Sequence, residues 1–328
     1  MNFTASSEPV ISVVIPCFNS EKWLAEAINS VLSQSDDRVE LVIVNDGSTD
    51  GTQGVAESFG DKIVLINQAN SGVSAARRNG VRRASGKYIK FLDSDDLLPD
   101  GALAVLLEAA DRFQGEAIIG NAVAISSEGL PLVGNMYGLA YQPSDGDFIK
   151  KEFLLTQATQ VGLWLLPKYL IDDDRFYDPN ISLGEEYLFC MQIVRAELPI
   201  RYCNQLVCKI RVHSDGSRLS STRDESKHLL QVDLISRVVD FISNEIDDYS
   251  EEALENIARL CWSRGRHCLR IGCPNAAVSY FDLGKKINPG LQPVGGFFYK
   301  VACKTWGPVF TENAFENIKE ITRKGCKK

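Results

Sequence analysis

The sequence predicts an α/β fold with a mostly parallel sheet covered by helices on both faces, followed by a C-terminal α-helical extension. Three observations predict it. Short β-branched runs alternate with amphipathic stretches over the first 120 residues, the connections between them are short, and from about residue 224 only helical periodicity remains.

VISVVIP (10–16) reads as a buried strand ended by Pro16. EKWLAEAINSVLSQ follows as a helix with Trp23, Leu24, Ala27, Ile28, Val31 and Leu32 on one face and Ser20 as its N-cap. VELVIVND (39–46) is the second strand, and GSTDGTQ supplies capping residues for the next helix. KIVLINQ (62–68) is the third strand, GVSAARRNGVRRA (72–84) a helix and KYIKFLD (87–93) the fourth strand. PDGALAVLLEAADRF (99–113) opens on proline, as helices often do, and EAIIGNAV (116–123) is the fifth strand. Residues 124–160 are punctuated by Gly, Ser and Pro and read as loops with a short helix near 147–157. VGLWLLP (161–167) is strand-like, GEEYLFCMQIVRA (184–196) a helix, and PIRYCNQLVCKIRVH (199–213) two short strands. Boundaries near 115 and 224 divide the chain into 1–115, 116–223 and a helical 224–328.

The chain has 328 residues, 45% apolar and 24% charged, enough to bury a core without metal or disulfide staples. Its net charge of −8 argues against a nucleic-acid binder working through a broad basic surface. Nine cysteines is an odd number, and the nearest pairs, Cys203/Cys208 and Cys268/Cys273, lack Cys-x-x-Cys spacing. Reduced thiols and a cytoplasmic location are therefore expected. No signal peptide and no run of 18 apolar residues is expected either.

In an open parallel α/β sheet, ligands bind at the carboxyl ends of the strands. Asn19, Asp46, Asn70 with Gly72, and Asp93-Ser94-Asp95-Asp96 stand at four such ends. Any one of them could be a turn former or cap, but four converge on one rim. On an extended segment Asp93 and Asp95 point the same way, and two ionised carboxylates so placed call for a cation between them. Hard oxygen donors suit Mg²⁺ or Mn²⁺, with a diphosphate completing the shell. No G-x-G-x-x-G follows the first strand and no G-x-x-x-x-G-K-[ST] occurs, which speaks against a dinucleotide-dependent dehydrogenase and a P-loop kinase.

V-V-I-P-C-F-N, V-N-D-G-S-T-D, N-x-G-x-S-x-A-R-x-N and F-L-D-S-D-D, in this order over 11–96, resemble glycosyltransferase family 2, and G-E-E-Y-L-F (184–189) resembles that family's G-E-D segment. The resemblance implies a GT-A, Rossmann-like fold and an inverting, metal-dependent enzyme. It would move sugar from a nucleotide-sugar, UDP-linked by preference, to a glycan or lipid-linked acceptor of a bacterial surface polysaccharide. It implies that Phe18 stacks on the base, Pro16 shapes the loop and Asp46 accepts from the uracil imide. Asn19 and Ser94 join the donor site, Arg77 holds the nucleotide, Asp93 faces the ribose or sugar, and Asp95 coordinates Mn²⁺ or Mg²⁺, with Asp93 and His213 beside it. Glu186 takes the place of the family's catalytic Asp, with Glu185 the alternative base. A nucleotidyltransferase or a catalytically inactive glycan-binding module are the competing readings; the first lacks a Gly-rich basic triphosphate signature, the second would be expected to have lost its carboxylates.

Around this set, Trp164 reads as a sugar platform or, more simply, a core residue, and Arg211 and Arg218 as cations that could meet phosphate. From Lys285 onward nine basic and three acidic residues give a local +6, interleaved with Phe297, Phe298, Tyr299, Trp306 and Phe310. Such a segment is either a solvated face or a peripheral contact with the inner face of the cytoplasmic membrane.

Overall fold

The computed structural model describes residues 10–34, 36–137, 143–149, 154–155, 159–178, 180–181, 183–213, 222–246, 249–291, 293–294, 297–312 and 314. It divides into two compact units, Met1–Lys151 with Ala158–His213, and Glu152–Gln157 with Ser214–Lys328.

The first unit is built on strands β1 (Ile11–Cys17), β2 (Val39–Asp46), β3 (Val64–Gln68), β4 (Tyr88–Phe91), β5 (Ala117–Ile125), β6 (Pro131–Tyr137), β7 (Trp164–Pro167) and β8 (Ile200–Arg211). Helices α1 (Leu24–Leu32), α2 (Thr52–Glu57), α3 (Val73–Arg83), α4 (Ala102–Arg112), the single turn α5 (Lys168–Ile171) and α6 (Glu185–Arg195) connect them. The sheet runs β3-β2-β1-β4-β7-β5-β6, with β8 paired to β5. β1, β2, β3 and β4 are parallel, in register from Ile11↔Val39 to Cys17↔Asn45 and from Ile11↔Tyr88 to Val14↔Phe91. β7 then runs antiparallel to both β4 and β5.

All seven residues of β1 are buried, as a parallel strand covered on both faces requires. Pro16 lacks a backbone N–H, yet sits here because β4 pairs only as far as Val14, so that edge of β1 is unladdered at Pro16. α3 lies close on this half through Gly80, where an added Cβ would stand 2.3 Å from Val14 Cγ1.

Three expectations are corrected. The N-cap of α1 is Trp23 and not Ser20, whose carbonyl instead accepts from the amides of Trp23 and Leu24. The 124–160 region contains β6, hairpinned to β5 through a turn with Gly129 at φ 82°. PLVGNMY escapes a periodicity reading because it is an edge strand opening on proline. Finally, 199–213 is one strand bent by register shifts against β5 and not two. The helix expected near 147–157 falls largely outside the described residues; Ile149 lies beside β8, its amide donating to Ile200 O at 2.9 Å.

The second unit holds α7 (Glu225–Glu245), α8 (Glu251–Ile271), α9 (Pro274–Ile287) and α10 (Phe297–Trp306). Asp224 and Ser250 cap α7 and α8 by accepting from the amides of Ser226 and Ala253, and Pro274 opens α9. The rings of Trp262 and Phe281, 5.0 Å apart, centre its core.

Candidate active site

The carboxyl ends of β1, β2 and β4, the helix α3, the start of α6 and the end of β8 carry the residues expected to serve donor, metal and base. Phe18 follows β1 and is 46% exposed, so it is not a core residue and its face is available for stacking. Asn19 adopts φ 49°, a left-handed conformation that asparagine tolerates better than most side chains. Its Oδ1 accepts from the Thr49 amide at 2.8 Å, and its own amide donates to Ser48 Oγ at 3.0 Å, which ties the loops after β1 and β2 together. Ser20 Oγ and Ser94 Oγ, 2.7 Å apart, join the first loop to the turn after β4.

Asp46 ends β2 and is buried. Its Oδ1 accepts from Gln68 Nε2 and the Ser71 amide, and its Oδ2 from the Gly72 amide, all at 2.8 Å. It thereby anchors the N-terminus of α3, whose N-cap is Gly72 at φ 88°. The buried Cys17 thiol is pushed up to about 12 by desolvation and by the nearby charges of Asp50 and Asp46, so it is no nucleophile.

The Asp93–Asp96 segment is not extended. The Asp96 amide donates to Asp93 O at 3.0 Å and closes a turn. Asp93 and Asp95 therefore do not share one direction, which corrects the alternation expected of them. Asp93 Oδ1 accepts from Arg77 Nη2 at 2.6 Å, while Asp95 Oδ2 lies 3.0 Å from His213 Nε2. The two carboxylates still feel each other. Burial, and then the charge of Asp93, holds the Asp95 carboxyl above its usual range, against the pull of the His213 hydrogen bond.

Arg77 is the residue most changed by the structure. It is neither on a solvated helix face nor open to a ligand: 3% exposed, it donates from Nη1 to Glu185 Oε1 and from Nη2 to Asp93. The solvated positions are Arg82 and Arg83, and Arg82 shares Asp174 with the half-buried Arg78. Both glutamates of the acidic pair open α6, immediately after Gly184 at φ 87°. Glu185 is committed to Arg77, and Glu186 is half-buried.

Arg211 does not face phosphate. Buried at 1% exposure, it donates to Asp95 O, Ser127 O and Glu26 Oε2 at 2.7–2.8 Å, and stacks 4.3 Å over the Trp23 ring. Its amide also donates to Asp96 Oδ1 at 2.8 Å. Arg211 thus braces the turn that carries Asp95. Arg218 lies outside the described residues. Trp164 is a core residue whose Nε1 donates to Thr159 Oγ1 at 3.1 Å. Lys90, fully buried in β4, donates to Gly162 O; its signal in the sequence is a lysine in an otherwise apolar strand.

As a metal site, Asp95 and His213 present an oxygen and a nitrogen side by side, 3.0 Å apart. Among the described residues no three His, Cys, Asp or Glu side chains close around one point. A cation held by Asp95 and His213 would have to draw most of its shell from water and substrate oxygens.

The strand order and this rim define a GT-A-type α/β domain with a C-terminal helical unit. Residues 12–157 match the model of glycosyl transferase family 2. It is 39% identical over 213 residues to an uncharacterized glycosyltransferase of Rickettsia prowazekii, covering 63% of this chain and 65% of that one. It is 28% identical over 243 residues to the minor teichoic acid biosynthesis protein GgaB of Bacillus subtilis, covering 71% of this chain. The chain spans only 27% of GgaB and 18% of the Streptococcus pneumoniae glycosyltransferase GlyA. Among solved structures it resembles S. aureus TarS 1–349, with a TM-score of 0.54 at 16% identity over 85% of this chain and 90% of that one. TarS 1–349 has also been solved in complex with UDP-GlcNAc and with UDP. Among the described residues no helix is long and apolar enough to cross a membrane.

Proposed function

We propose that this protein transfers a sugar, with inversion, from a UDP-linked donor to a glycan or lipid-linked acceptor during synthesis of a bacterial surface polysaccharide. The observation that carries the proposal is the convergence of exposed Phe18, the Asp93–Asp96 turn, His213 and the α6 glutamates on one strand-end rim. The UDP-GlcNAc complex of TarS and the teichoic acid role in the name of GgaB support the donor and the pathway class.

In this reading Phe18 stacks on the base, and Asp46, from the foot of α3, accepts from the uracil imide with the acceptor position its three internal bonds leave open. Asn19 and Ser94 hold the loops that frame the donor, with Pro16 fixing the chain direction into them. Asp95, His213 and Asp93 would hold Mn²⁺ or Mg²⁺, which when bound supplies charge neutralisation to the departing diphosphate. Glu186 takes the proton of the acceptor hydroxyl. The acceptor oxygen bonds to the anomeric carbon as the bond from that carbon to the diphosphate oxygen breaks. The unpaired, buried state of the eight described cysteines agrees with a cytoplasmic location. Around α10, Phe298, Trp306 and Phe310 are exposed beside Lys300 and Lys304, which supports peripheral contact with an anionic bilayer.

Donor hydrolysis by the full chain tests the reading. Release of free nucleoside diphosphate from a UDP-sugar is expected, stopped by chelator. Glu186→Gln should lower transfer by ~10²–10⁴ with donor affinity retained. Pyrophosphate release would indicate a nucleotidyltransferase, and no turnover with any nucleotide sugar a binding module.

A further inference from the structure

We propose that Arg77 is a positioning residue that ties the turn carrying Asp93 to the first turn of α6, and that Glu185 is its counter-ion and not the base. The inference rests on the glycosyl-transfer reading above. Arg77 is 3% exposed, and a cation so far out of water persists only with close partners. It has two, reached from opposite ends of its fork: Asp93, 16 residues away in sequence, and Glu185, 108 residues away. Two diverging amino groups on one rigid plane can serve both carboxylates at once, whereas the single ammonium of lysine cannot keep both geometries. The Phe91 ring, 5.7 Å from the guanidinium, backs the fork with the last residue of β4.

The exposures run in an order that decides the role. Asp93 is 48% exposed at its side chain, Glu185 17% and Arg77 4%. A ligand at the rim meets the carboxylates first and the cation lies behind them. Arg77 therefore acts on the donor through Asp93, and on the acceptor through the placement of α6. Because Glu185 is spent on a buried cation, proton acceptance falls to its neighbour Glu186. Anything that seats Asp93 against a donor is passed by the same fork to the helix start that must receive the acceptor.

The test is amide hydrogen exchange on the full chain, wild type against Arg77→Lys and Glu185→Gln, without ligand and with UDP plus Mn²⁺, together with donor-hydrolysis kinetics. Segments 92–96 and 184–188 should both exchange faster in each variant, by ~10-fold or more. In wild type, UDP should protect 184–188 as well as 92–96, and this remote protection should vanish in both variants. The kcat should fall ~10-fold or more while donor KM stays within ~3-fold, and the double variant should be no worse than Arg77→Lys alone. A purely structural role would not produce the linked protection or the kcat–KM split. A ~10-fold loss of UDP affinity in Arg77→Lys with 184–188 unchanged would make Arg77 a nucleotide contact and overturn the proposal, as would loosening of only one segment. If Arg77→Lys does not fold, Glu185→Gln decides alone, since it leaves the arginine in place. If wild type neither binds UDP nor hydrolyses a donor, the transferase reading fails, and ligand-free exchange still decides the coupling.

Discussion

Asp46→Asn separates what this carboxylate does for the fold from what it does for a nucleotide. Its three acceptor bonds, each 2.8 Å, go to Gln68 Nε2 and the amides of Ser71 and Gly72. An asparagine has one oxygen, so whichever way it turns, at least one backbone N–H faces an amide NH₂ and loses its acceptor. A hydrogen bond to a charged group contributes ~1.5–3 kcal/mol. Ser71 and Gly72 are exposed and can recover part of that from water, leaving a cost of ~1–2 kcal/mol. The lost negative charge at the N-terminus of α3 adds ~0.3–1 kcal/mol. Together these give ~2 kcal/mol, or ~30-fold faster local exchange of the amides from Gly72 to Ala76. Hydrogen exchange of that peptide measures the anchor, and calorimetry with UDP and CDP measures base selection. An exchange rate within ~3-fold of wild type would refute the anchoring account. A UDP-over-CDP preference that survives intact would refute the uracil contact and leave Asp46 as an anchor alone.

Further outcomes follow from the geometry. Gly80→Ala gains up to ~1 kcal/mol of helix propensity but drives a methyl to 2.3 Å from Val14 Cγ1 and 3.2 Å from Val44 Cγ2. Overpacking costs ~1–3 kcal/mol, so the melting temperature should fall; a rise would show that α3 does not sit this close on β1. Glu40 is pushed up by burial, but hydrogen bonds from the Ser12 hydroxyl and the amides of Ser85 and Gly86 outweigh this and leave its carboxyl below the usual range. Its contribution is thus present above the unfolded pKa and lost as pH falls through the folded one. Glu40→Gln should melt lower than wild type at pH ~7, with the gap narrowing below pH ~4; a gap independent of pH would rule this out. Lys300→Glu with Lys304→Glu should release the chain from anionic liposomes that retain wild type at low salt, and equal retention would remove the membrane contact.

Much of the architecture was legible because it is written in spacing. Side chains on a strand repeat every two residues and on a helix every 3.6, so VISVVIP and EKWLAEAINSVL declare their elements locally. The chain order of the strands then brings the loops bearing Phe18, Asp46 and Asp93 to one rim without further information. What spacing does not carry is the choice of partner. As i and i+2 neighbours Asp93 and Asp95 look like one pair, yet the turn closed by the Asp96 amide sends them to Arg77 and His213. Arg77 and Arg211 look like surface cations beside other arginines or a loop, and both prove buried between groups from distant segments. β6 was hidden in a stretch rich in turn formers until β5 offered it a ladder. Only the tertiary structure decided these, because burying a charge depends on which opposite charges the packed sheet delivers within hydrogen-bond reach. That delivery is set by strand register and helix docking over a hundred residues of chain, distances at which local periodicity has no say.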